Sequence, residues 1–129
     1  MPIRVLAIDD EIAMTELLLL LLKSHGFEVL MVNNGEDGVK LIREQTPDIV
    51  LLDLIMPGMD GWETINEIVN RGLLKNVEIA IITGKGTKDY QRISLLGSYI
   101  FDYLTKPLDI TKLISSVEKC NRYFYSRNN

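Results

Sequence analysis

Apolar residues in this chain fall into two alternating patterns. Short, nearly continuous runs rich in Ile, Val and Leu occupy residues 3–8, 28–32, 48–52, 77–82 and 102–105. Runs of that length read as strands buried on both faces. Between them lie longer stretches in which apolar residues recur at three- and four-residue intervals, near 11–24, 36–45, 62–71, 88–96 and 109–124. That spacing predicts helices with one core-facing stripe. The punctuation agrees: Asp10 is placed to cap the first helix and Gly26 follows its end. Asn33-Asn34-Gly35 turns into the second helix, which stops before Pro47, and Gly72 ends the third. Gly84-Lys85-Gly86-Thr87 forms a loop before the fourth. Five strands alternating with five helices predict a parallel sheet with helices on both faces and right-handed crossovers.

The run from Leu17 to Leu22 tests this pattern. Six consecutive helical residues turn through about 600° and visit every face, so at least one or two of these leucines should be exposed.

Four strand ends carry polar chemistry. Val5-Leu6-Ala7-Ile8 leads to Asp9-Asp10, Ile49-Val50-Leu51-Leu52 to Asp53, Ile79-Ala80-Ile81-Ile82 to Thr83, and the last strand to Lys106-Pro107. The second strand ends in Val32-Asn33-Asn34 and offers nothing comparable. If the other four ends share one site, strands 1, 3, 4 and 5 are contiguous and strand 2 is at an edge. The order is then 2-1-3-4-5, a doubly wound (βα)5, flavodoxin-like α/β domain. Ligands in such sheets sit outside the strand carboxyl ends, at the switch point between strands 1 and 3, which Asp9, Asp10 and Asp53 flank.

Carboxylates crowded there repel one another, by roughly 3 kcal/mol per pair at about 5 Å and an effective dielectric near 20. A divalent cation relieves that repulsion, and all-oxygen donors favour a hard ion such as Mg²⁺. Asp53, alone at the centre, suits a nucleophile that accepts a phosphoryl group. Asp9 and Asp10 suit metal anchoring, while Lys106 and Thr83 supply a point charge and a hydroxyl to the phosphoryl oxygens. Each residue alone has an ordinary explanation: a helix cap for Asp10, and a favourable helix-dipole position for Asp9 and Glu11. Four matches at four strand ends argue against coincidence.

Bulk properties narrow the class. The 129 residues make one domain, 47% hydrophobic and 25% charged, with no low-complexity tract. A net charge of −4 argues against direct binding of nucleic-acid phosphates. Cys120 is the one cysteine, on the helical apolar spacing Leu113, Ile114, Val117, Cys120, Phe124, which predicts a buried, inert thiol and fits a reducing compartment. The longest apolar run falls far short of the roughly 20 residues of a membrane span. Met1-Pro2-Ile3-Arg4 runs directly into the first strand, leaving no room for a signal peptide, so a cytoplasmic location is expected.

The motifs, in their order and spacing, resemble those of a response-regulator receiver domain, the phosphoacceptor half of two-component signalling, of the chemotaxis-regulator type. The resemblance spans essentially residues 1–129. It rests on Asp9-Asp10, on the run Asp53-Leu54-Ile55-Met56-Pro57-Gly58-Met59-Asp60-Gly61, on Thr83-Gly84 and on Lys106-Pro107. It implies phosphorylation at Asp53 and Mg²⁺ held by Asp10, Asp53 and the backbone carbonyl of Ile55, with Asp9 acting through water. Thr83 and Lys106 would contact the phosphoryl group, Tyr103 would be the aromatic switch paired with Thr83, and the bond before Pro107 would be cis.

The implied function is a signalling switch rather than an enzyme. A histidine kinase or histidine phosphotransfer protein would donate the phosphoryl group, and a downstream protein, an output domain or a second copy of the chain would receive the signal. One departure stands out: Gly97 lies six residues before Tyr103, where the family allows about four, and Ser98-Tyr99-Ile100-Phe101 is apolar. That segment is either extra core or a contact edge on the output face, with contact slightly favoured. Two rivals are weaker. A haloacid-dehalogenase-type enzyme lacks its later threonine and a cap domain here, and a flavin carrier would find an acidic rather than hydroxyl-rich turn after the first strand.

Overall fold

The computed structural model describes residues 2–84 and 95–128. The elements are β1 (Arg4–Ile8), α1 (Ile12–Ser24), β2 (Glu28–Val32), α2 (Gly35–Gln45), β3 (Ile49–Asp53), α3 (Gly61–Asn70), β4 (Glu78–Thr83), β5 (Ile100–Thr105) and α4 (Ile110–Asn128). All strand pairs are parallel and the sheet order is β2-β1-β3-β4-β5, as the strand-end chemistry requires. The helix expected near 88–96 falls largely outside the described residues, which include only its last turn at Leu95 and Leu96.

Two apolar layers sandwich the sheet. Alternate residues of one strand face opposite sides, so Leu6 and Ile8 of β1 join Val39, Ile42, Ile65 and Ile68 under α2 and α3. Val5 and Ala7 instead join Leu18, Leu22, Leu113 and Val117 under α1 and α4. The leucine run divides as its length requires: Leu18 and Leu22 are fully buried, whereas Leu17 and Leu20 are exposed. Cys120 is buried in the α1/α4 layer, and burial first, with the charges of Glu78 and Asp102 after it, pushes its thiol up to about 12. It is an inert core thiol, as expected.

Boundaries differ in two informative places. The N-cap of α1 is Glu11, not Asp10, and its side chain makes no capping hydrogen bond. In β5, Ile79 pairs with Ile100 but Ala80 pairs with Asp102, leaving Phe101 as an extra residue. This bulge turns the strand over: Ile100 faces the α2/α3 layer, whereas Phe101 and Leu104 face the α1/α4 layer. The bulge absorbs one of the extra residues between Gly97 and Tyr103. A 3-10 turn at Gly97–Tyr99 precedes it. Within the apolar segment, Ile100 is therefore core, Phe101 packs against core, and Tyr99 stays exposed.

Candidate functional site

Asp9 directly follows β1 and Asp53 is the last residue of β3, so neighbouring strands deliver both carboxylates to one end of the sheet. The same local device orients each. Asp9 Oδ1 accepts the Glu11 N–H at 2.9 Å, and Asp53 Oδ1 accepts the Ile55 N–H at 3.2 Å. A short acid that caps the backbone two residues on braces a turn, and it leaves its second oxygen free to face the crevice. Asp9 and Asp53 are 1% and 3% exposed.

Lys106 enters from the far side. Its backbone N–H donates to Thr83 O at 2.7 Å, continuing the β4–β5 pairing, and the Lys106–Pro107 bond is cis. Strands lie about 4.8 Å apart, so only a long side chain can reach from β5 past β4 to β3. Its Nζ lies 3.3 Å from Asp53 Oδ2, 3.3 Å from Asp9 Oδ2 and 3.0 Å from Glu11 Oε1. The contacts with Asp53 and Glu11 are hydrogen bonds. Asp9 Oδ2 is ion-paired but buried without a hydrogen bond.

The titration behaviour follows. Burial first, and the Asp9 charge second, raise the Asp53 carboxyl from 3.8 to about 6, against the opposing pull of the Ile55 N–H and Lys106. Burial alone would lower Lys106, but the Glu11 hydrogen bond and the charges of Asp53 and Asp9 override it and hold the ammonium well above its usual range. Among the described residues one cation thus serves several acids, and these acids are short of positive charge.

That shortage is the test for magnesium. Asp9, Asp10 and Asp53 each offer a carboxylate oxygen within 4.8 Å of the others, the donors are all hard oxygens, and a buried Asp9 oxygen lacks a hydrogen bond. The residues fit a small divalent cation.

The loop after Asp53 is shaped to keep that carboxylate in place. Leu54 and Met56 point into the core while Ile55 between them is exposed, and Gly58 adopts a positive φ of 73°. Asp60 caps α3, its Oδ1 accepting the Glu63 N–H at 2.8 Å. Gly61 donates its N–H to Leu54 O at 2.9 Å, and a Cβ there would lie 2.5 Å from the backbone oxygen of Asp53 and 2.6 Å from Leu54 Cα. Only glycine permits α3 to start so close to the strand that carries Asp53.

Thr83 ends β4, buried, with its hydroxyl donating to Gly84 O at 3.3 Å. Tyr103 is 37% exposed. Asp9, Asp53 and Lys106 therefore meet directly, and Asp10 joins the carboxylate cluster. Two residues carry more of the site than their sequence suggested. Glu11, read as a dipole-favoured acid, holds Lys106 instead, and Gly61, the last residue of the Asp53 motif run, sets the α3–β3 approach. The signal for Glu11 was its place as a third consecutive acid with longer reach than the other two.

The family model described as the response regulator receiver domain matches residues 5–118. The chain belongs to that family. It is 34% identical over 116 residues to Protein PilH of Pseudomonas aeruginosa, covering 88% of this chain and 93% of PilH. Among solved structures it is similar to a CheY-like receiver domain protein from Methanospirillum hungatei, with TM-score 0.83, 31% identity and 98% coverage of both chains. It is also similar to the receiver domain of a modulated diguanylate cyclase from Desulfovibrio desulfuricans, with TM-score 0.83, 29% identity and coverage of 98% and 99%. The chain is thus the receiver domain of a two-component, chemotaxis-type response regulator with a flavodoxin-like fold. Receivers of this family are signalling switches that bind Mg²⁺ at an acidic cluster and work with histidine kinases and output domains. Among the described residues, no helix is long and apolar enough to cross a membrane.

Proposed function

We propose that this receiver takes a phosphoryl group onto Asp53 from the phosphohistidine of a histidine kinase or phosphotransfer protein, and that the acyl phosphate switches the β4–β5 face. An Asp53 carboxylate oxygen forms the new O–P bond as the donor's N–P bond breaks, and the imidazole leaves with the bonding electrons and takes up a proton. With its carboxyl near 6, Asp53 is mostly ionised at neutral pH and available as the nucleophile. Lys106, already 3.3 Å from Asp53, neutralises developing charge on the phosphoryl oxygens. Asp10, Asp53 and the Ile55 carbonyl, with Asp9 through water, would hold Mg²⁺, which supplies further positive charge against those oxygens.

The convergence of Asp9, Asp53 and Lys106 from three strand ends carries this reading. Phosphorylation adds nearly two negative charges and three acceptor oxygens. Thr83 turns toward them, and the space it leaves accepts the ring of Tyr103, which is half-exposed beforehand. Only such differential contacts can shift a two-state equilibrium. The receiver of the signal is a downstream protein, an output domain or a second copy of this chain, and the cytoplasm is the proposed compartment.

Intact-protein mass spectrometry after incubation with Mg²⁺ and acetyl phosphate tests the acceptor. Wild type should gain one phosphoryl group and Asp53→Asn none; equal labelling of both would overturn the assignment. Hydrogen exchange with the phosphoryl mimic beryllofluoride should change across residues 97–106. Changes confined to the loops after β1 and β3 would refute the proposed switch.

A further inference from the structure

The geometry points to Glu11 as a built-in competitor for Lys106: a carboxylate that holds the ammonium in the unphosphorylated state and must release it when a phosphoryl group occupies Asp53. This inference rests on the proposed phosphoacceptor role of Asp53 and adds a positioning residue to it.

Lys106 has three N–H donors. Glu11 Oε1 takes one at 3.0 Å, the shortest of its contacts, and Asp53 Oδ2 takes another at 3.3 Å. Of the described acids paired with the ammonium, Glu11 alone is able to let go. The Asp9 side chain is 2% exposed and braced by the Glu11 N–H, and that of Asp53 is 4% exposed and braced by the Ile55 N–H. The Glu11 side chain is 59% exposed, and it is not engaged in capping α1 although its residue occupies the cap position. The backbone at residue 11 is thus fixed by the Asp9 turn, while the carboxylate lies at the rim and can swing into water.

A phosphoryl group on Asp53 presents three acceptor oxygens and nearly two negative charges to the same ammonium. As Lys106 turns its donors toward that group it gives up contacts of the unphosphorylated arrangement, and of these the Glu11 bond is the exposed, releasable one. Its loss is therefore part of the cost of the phosphorylated state. The side chain's length matters: aspartate at this position would keep the charge but lose the reach to Nζ.

The test uses beryllofluoride with Mg²⁺, its affinity measured by titration calorimetry on the full chain. An exposed ion pair is worth little, so Glu11→Gln should bind the mimic about two- to fivefold more tightly than wild type at low salt. The gain should shrink at about 0.5 M salt, where exposed charges are screened. Glu16→Gln, removing an exposed acid elsewhere on α1, should leave affinity unchanged. Glu11→Asp should behave as Glu11→Gln. If Glu11→Gln binds no more tightly than wild type, or if Glu11→Asp matches wild type while Glu11→Gln tightens, direct competition for Lys106 is wrong. Failure of the underlying reading is separable: there, wild type and Asp53→Asn would take the mimic alike.

Discussion

Asp53→Asn should stabilise the fold, by an amount that depends on pH in a defined way. In the native site burial and the neighbouring Asp9 charge raise the Asp53 carboxyl from 3.8 to about 6. The unfolded chain loses this proton near 3.8 while the folded chain keeps it until about 6, so between those values the native state binds more protons. Stability from this group therefore falls as pH rises from about 4 to about 6 and levels off above. The total is about 3 kcal/mol against the ionised native state. Asparagine imitates the protonated carboxyl and cannot ionise, so the variant escapes that loss. Urea denaturation of both proteins from pH 4 to pH 8, without metal, measures the difference. The two should agree near pH 4, and the variant should lead by about 3 kcal/mol at pH 7.5, on the order of 10 °C in melting temperature for a domain this size. Adding Mg²⁺ should narrow the gap by favouring the ionised carboxylate of wild type. Parallel stability curves across this pH range, or a less stable Asp53→Asn at neutral pH, would refute the proposed tension at Asp53.

Two further outcomes follow from the same geometry. Mg²⁺ should raise the melting temperature of wild type, because a ligand of the native state stabilises it by mass action; Asp10→Ala should lose most of that rise and Glu11→Ala should keep it, as differential scanning fluorimetry will show. Gly61→Ala should cost about 2–3 kcal/mol, since its Cβ would meet backbone atoms of Asp53 and Leu54. Gly38→Ala should cost less, because the nearest atom there is the flexible end of the Ile8 side chain; similar costs in urea melts would contradict this account.

Much of this architecture is legible in the residues themselves. Strands buried on both faces announce themselves as continuous apolar runs, and the absence of chemistry after Val32 places β2 at the edge, where the sheet has it. What the sequence hides is set by pairing and reach. The bulge at Phe101 leaves no local signature, because Ile100, Phe101 and Leu104 read equally well as strand whichever core each one enters; only the register against Ile79 and Ala80 shows that the strand turns over. The pairing of Glu11 with Lys106 spans 95 residues and depends on side-chain length rather than spacing. The cap of α1 falls at Glu11 rather than Asp10, where the Asp9 side chain takes the Glu11 N–H, a competition between neighbouring acids that residue preferences cannot rank.

That competition also explains why the site is built from aspartates at the ends of β1 and β3. Each uses Oδ1 to accept an N–H two residues ahead, a contact that suits a side chain of one methylene and fixes the carboxylate plane. The fixed plane in turn directs Oδ2 into the crevice, where two buried carboxylates face each other across one lysine. Burial first, and then the repulsion that these strand-ending turns set up between Asp9 and Asp53, raise the Asp53 carboxyl, and the carboxylates cannot relax away from each other without breaking the turns. Glu11, one methylene longer, gives only its backbone N–H to the Asp9 turn, so its side chain is free of this constraint. For that reason it can moderate the lysine while the buried pair cannot. A domain arranged this way holds its buried acids under electrostatic tension, which a divalent cation among Asp9, Asp10 and Asp53 would relieve.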